Sequence, residues 1–177
     1  MVNTEQQIQK TFVRLLERYE IEEIDVNMIC KHLNIKRQTF YYHFKNIYDV
    51  IYSIYCYQKI GDQVESDLNA LISAIFSFLY SDQSFNITIS KSNASDVLRD
   101  FIASYANIVL LKMLDKYNLG IDYKRDIARF YSSAISQQCI HYFGLEYSIK
   151  EGTSKISNLF NEDILKTVIR KCQNSID

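Results

Sequence analysis

Proline is absent from the 177 residues of this chain, and only four glycines occur, at positions 61, 120, 144 and 152. These two residue types most often interrupt regular structure, so nearly every break here can be assigned to the end of a helix. Apolar residues also recur three and four positions apart along most of the chain, which is the helical period. The sequence therefore predicts an all-α fold and not a turn-rich β fold.

A first helix is predicted from a capping-box spacing and one apolar face. Thr4 and Gln7 are three positions apart, so the glutamine can bond back to the residue that caps the helix. The apolar face consists of Ile8, Phe12, Leu15, Leu16 and Tyr19. In contrast, residues 81–95, SDQSFNITISKSNAS, have no helical period and are predicted to form a mobile loop.

Residues 26–45, VNMICKHLNIKRQTFYYHFK, have the pattern of two short helices joined by a tight turn. Asp25 is a suitable N-cap for the first helix. Asn34 ends that helix, because asparagine tolerates the left-handed backbone that a sharp helix end requires. The second helix begins near Lys36, where the polarity of the chain changes. This layout is typical of a helix-turn-helix, and Asn46 with Asp49 predicts the capped start of the following helix.

The second helix of this pair has a polar start and an aromatic anchor. Its first side chains offer hydrogen-bond donors at a helix N-terminus, where backbone N–H groups also favour phosphate oxygens. Phe40 and Phe44, four positions apart, face inward and leave the residues between them free to face outward. The candidate DNA contacts are Lys36, Arg37, Gln38, Thr39, Tyr41, Tyr42, His43 and Lys45. The alternative interpretation is a solvated basic turn.

This segment carries a local excess of positive charge. Residues 31–45 contain four Lys/Arg, two His and no acid, whereas the whole chain has a formal net charge of −1 and a pI of about 6.3. An acidic run lies just before the basic segment and should point away from bound DNA; it consists of Glu17, Glu20, Glu22, Glu23 and Asp25. Binding should therefore depend on few phosphate contacts per subunit, which favours a dimer.

The segment ICKHLNIKRQTFYYHFKNIYDV resembles the DNA-binding signature of the TetR/AcrR family of bacterial transcriptional regulators, with a resemblance that covers roughly residues 5 to 55. It implies that the second helix of the motif reads the major groove and that the eight residues named above contact DNA. Three positions depart from the usual pattern: Asp25 in place of Thr or Ser, Asn34 in place of Gly, and Ile47 in place of Lys. RQTFYYHF followed by IYDVI is also similar to the DhaS-like branch of the family.

The resemblance also implies a homodimer and a domain division. In the family the two final helices pack against the partner's copies, and by position these correspond to residues 122–144 and 153–172. The candidate interface residues are Ile127, Ala134, Ile135, Tyr142, Ile164 and Val168. Such a dimer sets two reading helices about 34 to 36 Å apart, so the operator should be palindromic. We expect a helix-turn-helix domain at residues 1–46 and a helical regulatory and dimerisation domain at residues 47–177.

Family members usually enclose an effector between the middle helices, and its binding shifts the spacing of the two reading heads. The candidate lining residues here are Tyr55, Phe76, Phe78, Tyr105, Met113, Phe130, Tyr131 and Cys139. Aromatic residues at helical spacing are more often plain core, so the structural interpretation stands beside the functional one. A partner protein in place of a small-molecule effector stays open, as does the choice between repressor and activator.

Other functions find little support in the sequence. No GxSxG, HExxH or phosphate-loop motif occurs, so no enzyme and no cofactor are expected. The four cysteines are far apart and form no CxxC pair, and Cys139 and His141 would lie on different helix faces, so no metal site is expected. With no signal region and no long apolar run, we expect a cytoplasmic protein without membrane contact. The alternative function is a helical binding or adaptor protein that has lost operator recognition.

Overall fold

The computed structural model describes residues 3–58, 60 and 67–173, and within these residues every regular element is helical. The helices are α1 (Thr4–Leu15), α2 (Val26–Leu33), α3 (Arg37–His43), α4 (Ile47–Tyr57), α5 (Leu68–Ser81), α6 (Gln83–Lys91), α7 (Ser95–Leu114), α8 (Ile121–Gly144), α9 (Ile149–Leu159) and α10 (Glu162–Gln173). A 3₁₀ turn, Ile21–Glu23, precedes α2. The all-α prediction is confirmed. None of the helices in the described ranges is both long and apolar enough to cross a bilayer.

The chain divides into two compact units. The first comprises Met1–Lys59 and Ser84–Leu98, and the second comprises Ile60–Gln83 and Arg99–Asp177. The boundary that we expected at residue 46 lies inside the first unit, because α4 belongs to the same unit as α1. A hydrogen bond of 3.0 Å from Gln9 Nε2 to Ser53 Oγ joins those two helices.

Helix α1 begins one residue earlier than its predicted capping box. Asn3 is the N-cap, and its Oδ1 accepts a 2.8 Å hydrogen bond from the backbone N–H of Gln6, so Thr4 is already helical. The helix ends at Leu15, and Tyr19 lies beyond it on the surface. Three residues of the predicted apolar face are buried in the core of the first unit: Ile8, Phe12 and Leu15.

The mobile loop predicted at residues 81–95 is wrong, because most of it forms α6. Phe85 and Ile89 are one helical turn apart and both buried, which gives this polar segment an apolar face. Its hydroxyl groups bond back to the helix, as in the 3.0 Å bond from Thr88 Oγ1 to the carbonyl oxygen of Ser84. Because these hydroxyls are satisfied within the helix, the polar composition does not prevent helix formation.

The second unit is built on the contact between α5 and α9. Helix α5 is apolar almost throughout, and its buried residues include Ile72, Ile75 and Phe76. Gly152 of α9 is buried against Phe76, and a methyl group added to this glycine would overlap the phenylalanine ring. The close approach of the two helices therefore requires a residue without a side chain at this position.

The single final helix predicted from about residue 153 is also wrong, because α9 and α10 are separate helices. Ser148 and Glu151 form a capping box that starts α9. At the break, Asn161 Oδ1 accepts a 2.9 Å hydrogen bond from the backbone N–H of Ile164, which caps the start of α10. The chain can thus turn after Phe160 because Asn161 satisfies a backbone donor of the next helix.

Candidate nucleic-acid interface

The start of α2 is fixed by the cap that the sequence predicted. The backbone N–H of Met28 donates a 2.8 Å hydrogen bond to Asp25 Oδ1. Ile29 and Cys30 are buried, as expected for the inner face of this helix. Burial raises the pKa of the Cys30 thiol, so this side chain is a small apolar spacer in the core.

The turn between α2 and α3 has a defined hydrogen-bonding pattern. Asn34 has φ 53° and ψ 44°, which is the left-handed conformation that the sequence predicted. The backbone N–H of Ile35 donates to the carbonyl of Cys30 at 3.0 Å, and that of Asn34 donates to the carbonyl of Lys31 at 3.4 Å. These two bonds form a Schellman motif. The turn therefore sets where α3 begins and in which direction it leaves α2.

Two phenylalanines hold the inner side of α3, as predicted. Phe40 is fully buried and Phe44 nearly so, and their ring centroids are 5.9 Å apart. Lys36 has an extended backbone at the N-cap, and its side chain makes no capping hydrogen bond to the described residues. The backbone N–H of Thr39 donates to the carbonyl of Lys36 at 2.9 Å, so only the first two N–H groups of α3 keep their donor capacity for a ligand.

The structure places all eight predicted DNA contacts on α3 or at one of its two ends. Six are exposed and two, Thr39 and His43, are half-buried. Tyr42 is 85% exposed. The exposed six are Lys36, Arg37, Gln38, Tyr41, Tyr42 and Lys45. The basic and hydrogen-bonding groups thus occupy the outer side of a helix whose inner side is anchored in the core.

Arg37 and Tyr41 form a pair on this outer side. Arg37 Nη2 donates a 3.1 Å hydrogen bond to the Tyr41 hydroxyl oxygen, and the guanidinium carbon lies 5.7 Å from the centroid of the tyrosine ring. The hydrogen bond that Arg37 donates to Tyr41 raises the pKa of Arg37. Sequence reasoning named both residues but missed their pairing, although their spacing of four positions is the signal for one.

The C-terminal end of α3 is fastened to α4. Asn46 Oδ1 accepts a 2.9 Å bond from the backbone N–H of Asp49, which confirms the predicted capped start. Asp49 Oδ2 accepts in turn from the backbone N–H of Lys45 at 3.0 Å. The backbone that carries the Lys45 ammonium group is therefore fixed relative to both helices.

Most of the acidic run is used in local hydrogen bonds within the first unit. Glu20 and Glu23 form a capping box around the 3₁₀ turn. Glu22 Oε1 accepts a 3.0 Å bond from the backbone N–H of Asn93, which lowers the pKa of Glu22. Asp25 caps α2, and its charge makes a small contribution to the raised pKa of Arg37. These four carboxylates thus have hydrogen-bond partners within the first unit.

The predicted effector residues do not form one group. Tyr55 belongs to the first unit, where its ring lies 5.6 Å from that of Phe85. Phe130 is 67% exposed and so is not enclosed as an effector-lining residue would be. The other six candidates lie in the second unit. Tyr105 is half-buried, and the five buried residues are Phe76, Phe78, Met113, Tyr131 and Cys139. Burial raises the pKa of the Cys139 thiol.

A groove of about 350 Å³ in the second unit combines residues from the effector and dimer predictions. Helices α8 and α10 form most of it, with Leu159 at the end of α9 and Phe160 directly after it. The predicted residues that line it are Ile127, Phe130, Tyr131, Ile164 and Val168. Phe130, Leu159 and Ile164 are the large apolar side chains that it leaves most exposed.

The expected dimer residues need a correction. Ile135 is fully buried inside the second unit, so it offers no surface to a second copy, and Ile127 is nearly buried beneath the groove that it lines. Their side chains fill the core because they lie on the inner face of α8. Ile164 is 42% exposed. The other three expected residues, Ala134, Tyr142 and Val168, are half-buried.

Several solved structures are similar in fold to this chain. Neither a protein-family model nor a curated protein sequence matches the chain. One similar structure is described as the dihydroxyacetone kinase operon activator DhaS, with 21% identity, a TM-score of 0.52 and coverage of 98% of each chain. Another is described as the fatty acid degradation regulator FadR from Bacillus halodurans, with 14% identity, a TM-score of 0.54 and coverage of 88% of this chain and 93% of that one. Neither description is that of an enzyme.

Proposed function

We propose that this chain is a transcriptional regulator of the TetR/AcrR type that binds a specific DNA sequence through α3. The observation that carries the proposal is the outer side of α3, where six of the eight candidate contacts are exposed. The capped α2, the Schellman turn and the buried phenylalanines fix the position of this helix. A short helix that is rigid at its base and basic at its start suits insertion into the major groove. The names of the two similar structures support the same role.

We propose further that the regulator acts as a homodimer on a palindromic operator. Phe130, Leu159 and Ile164 expose apolar surface along one groove of the second unit. Large apolar side chains exposed together favour contact with another protein surface. A two-fold dimer would bind half-sites separated by one turn of DNA, about 34 to 36 Å.

The signal for such a regulator would act on the second unit. Its buried aromatic residues suit an apolar or weakly polar small molecule, and a partner protein is the alternative source of the signal. Titrating the DNA complex with candidate molecules would identify the signal by release or strengthening of binding.

The direct test of DNA recognition is a binding titration of the full chain against the DNA upstream of its own gene. We expect tight binding that weakens steeply with salt, and much weaker binding to a random duplex of the same length. Lys45→Ala should weaken binding to all sequences alike and lower the salt slope by about 1 for each subunit. Equal affinity for the random duplex would instead favour the adaptor function.

A further inference from the structure

The Arg37–Tyr41 pair is connected to the core of the first unit by a series of direct contacts. The fully buried Phe40 meets the Tyr41 ring edge-on, with centroids 5.6 Å apart and an angle of 88° between the rings. The Tyr41 hydroxyl oxygen accepts the 3.1 Å bond from Arg37 Nη2, and the guanidinium lies near the same ring. A long arginine side chain on the outer side of α3 is thus held at two points of one tyrosine.

This contact leaves the recognition capacity of the guanidinium intact. The group carries five N–H donors, and the bond to Tyr41 uses one of the two on Nη2. The second Nη2 donor and those on Nη1 can still act together as a fork. In the major groove, guanine presents two adjacent acceptors, O6 and N7, which fit this fork bidentately.

Holding the side chain should improve base recognition. Free arginine loses rotamer freedom when it binds a base, and a side chain that is already oriented loses less. The Tyr41 hydroxyl supplies this orientation from one helical turn away. The gain in discrimination between bases should appear at one base pair of each half-site, because Tyr41 affects only the position of the arginine fork.

We propose that Arg37 reads a guanine in each half-site of the operator and that Tyr41 is the residue that positions it for this contact. The inference depends on the proposed DNA-binding function and adds the base and the pair of residues that reads it. Tyr41 acts here through its hydroxyl group on Arg37 and not through a phosphate of its own.

The experiment uses the full chain, a selected operator and duplexes in which each base pair of both half-sites is changed in turn. We expect wild type to prefer G·C at one symmetric pair by about 5- to 150-fold, the range for one bidentate arginine–guanine contact. Arg37→Lys keeps the charge but removes the planar fork, so it should reduce this preference and leave those at other pairs. Tyr41→Phe keeps the ring and should reduce the same preference several-fold. Tyr19→Phe, an exposed tyrosine outside α3, is the matched control.

Four other results have separate meanings. A uniform loss of affinity for every duplex in Tyr41→Phe would show that the hydroxyl contacts a phosphate, which overturns the positioning role. Loss of preference in Arg37→Lys at a pair other than G·C would overturn the assignment of guanine. If wild type itself prefers no sequence, the proposed function fails and this inference fails with it. Specific wild-type binding with unchanged preferences in both variants would overturn only the inference.

Discussion

Replacing Gly152 with alanine should destabilise the second unit, because the added methyl group has no space. It would overlap the ring of Phe76, and both residues are buried where α5 meets α9. Overpacking of this kind costs about 1 to 3 kcal/mol. For a chain of this size, that corresponds to a fall in melting temperature of about 2 to 12 °C. Thermal unfolding, monitored by far-ultraviolet circular dichroism, measures this fall in melting temperature.

The matched control is Gly144→Ala at the last residue of α8. Among the described residues, none lies within 4 Å of a methyl group at Gly144, so this variant should retain or slightly gain stability. Combining Gly152→Ala with Phe76→Leu should cost less than the two single changes together, by about 0.5 to 3 kcal/mol. An unchanged melting temperature in Gly152→Ala, or strictly additive costs, would refute the reasoning about this helix contact.

Three further predictions follow from other contacts. Asn34→Ala should lower the free energy of unfolding of the first unit by about 1 kcal/mol, whereas Asn34→Gly should not, because only alanine is strained in the left-handed conformation; chemical denaturation compares them. Glu22→Gln should reduce stability most at neutral pH. Its pKa is lowered in the fold, so its contribution is present above the ordinary glutamate pKa and lost as the pH falls through the folded value; a difference that grows in acid would contradict this. Phe130→Ser should shift the proposed dimer toward monomer in analytical ultracentrifugation without loss of helicity, and an unchanged sedimentation profile would contradict an interface at this groove.

The helix-turn-helix could be predicted from the sequence because its determinants are local. Asp25 and Asn46 cap helices through backbone N–H groups three residues away, and Asn34 ends α2 through its own backbone angles. Phe40 and Phe44 show their burial by their spacing alone. Each of these signals is contained within a few residues, so the pattern specifies the structure without knowledge of the rest of the chain.

The features that the sequence did not predict depend on contacts between residues that are far apart along the chain. Helix α6 forms because burial of Phe85 and Ile89 compensates for a polar composition that predicts a loop. The need for glycine at position 152 depends on Phe76, which lies far away in sequence. Phe130 was assigned to a pocket by its aromatic character, but its exposure depends on how α8 packs within the second unit. Periodicity gives the apolar face of a helix and does not give what covers it.

The most direct test of sequence-specific recognition by α3 is a footprint on the promoter of the chain's own gene at low ionic strength. We predict two protected half-sites one turn of the double helix apart. The Arg37→Ala/Gln38→Ala double variant should lose this protection while it retains its helical circular dichroism. Absence of a protected site for the wild-type chain, or the same footprint for the double variant, would contradict the assignment of α3 as the reading helix.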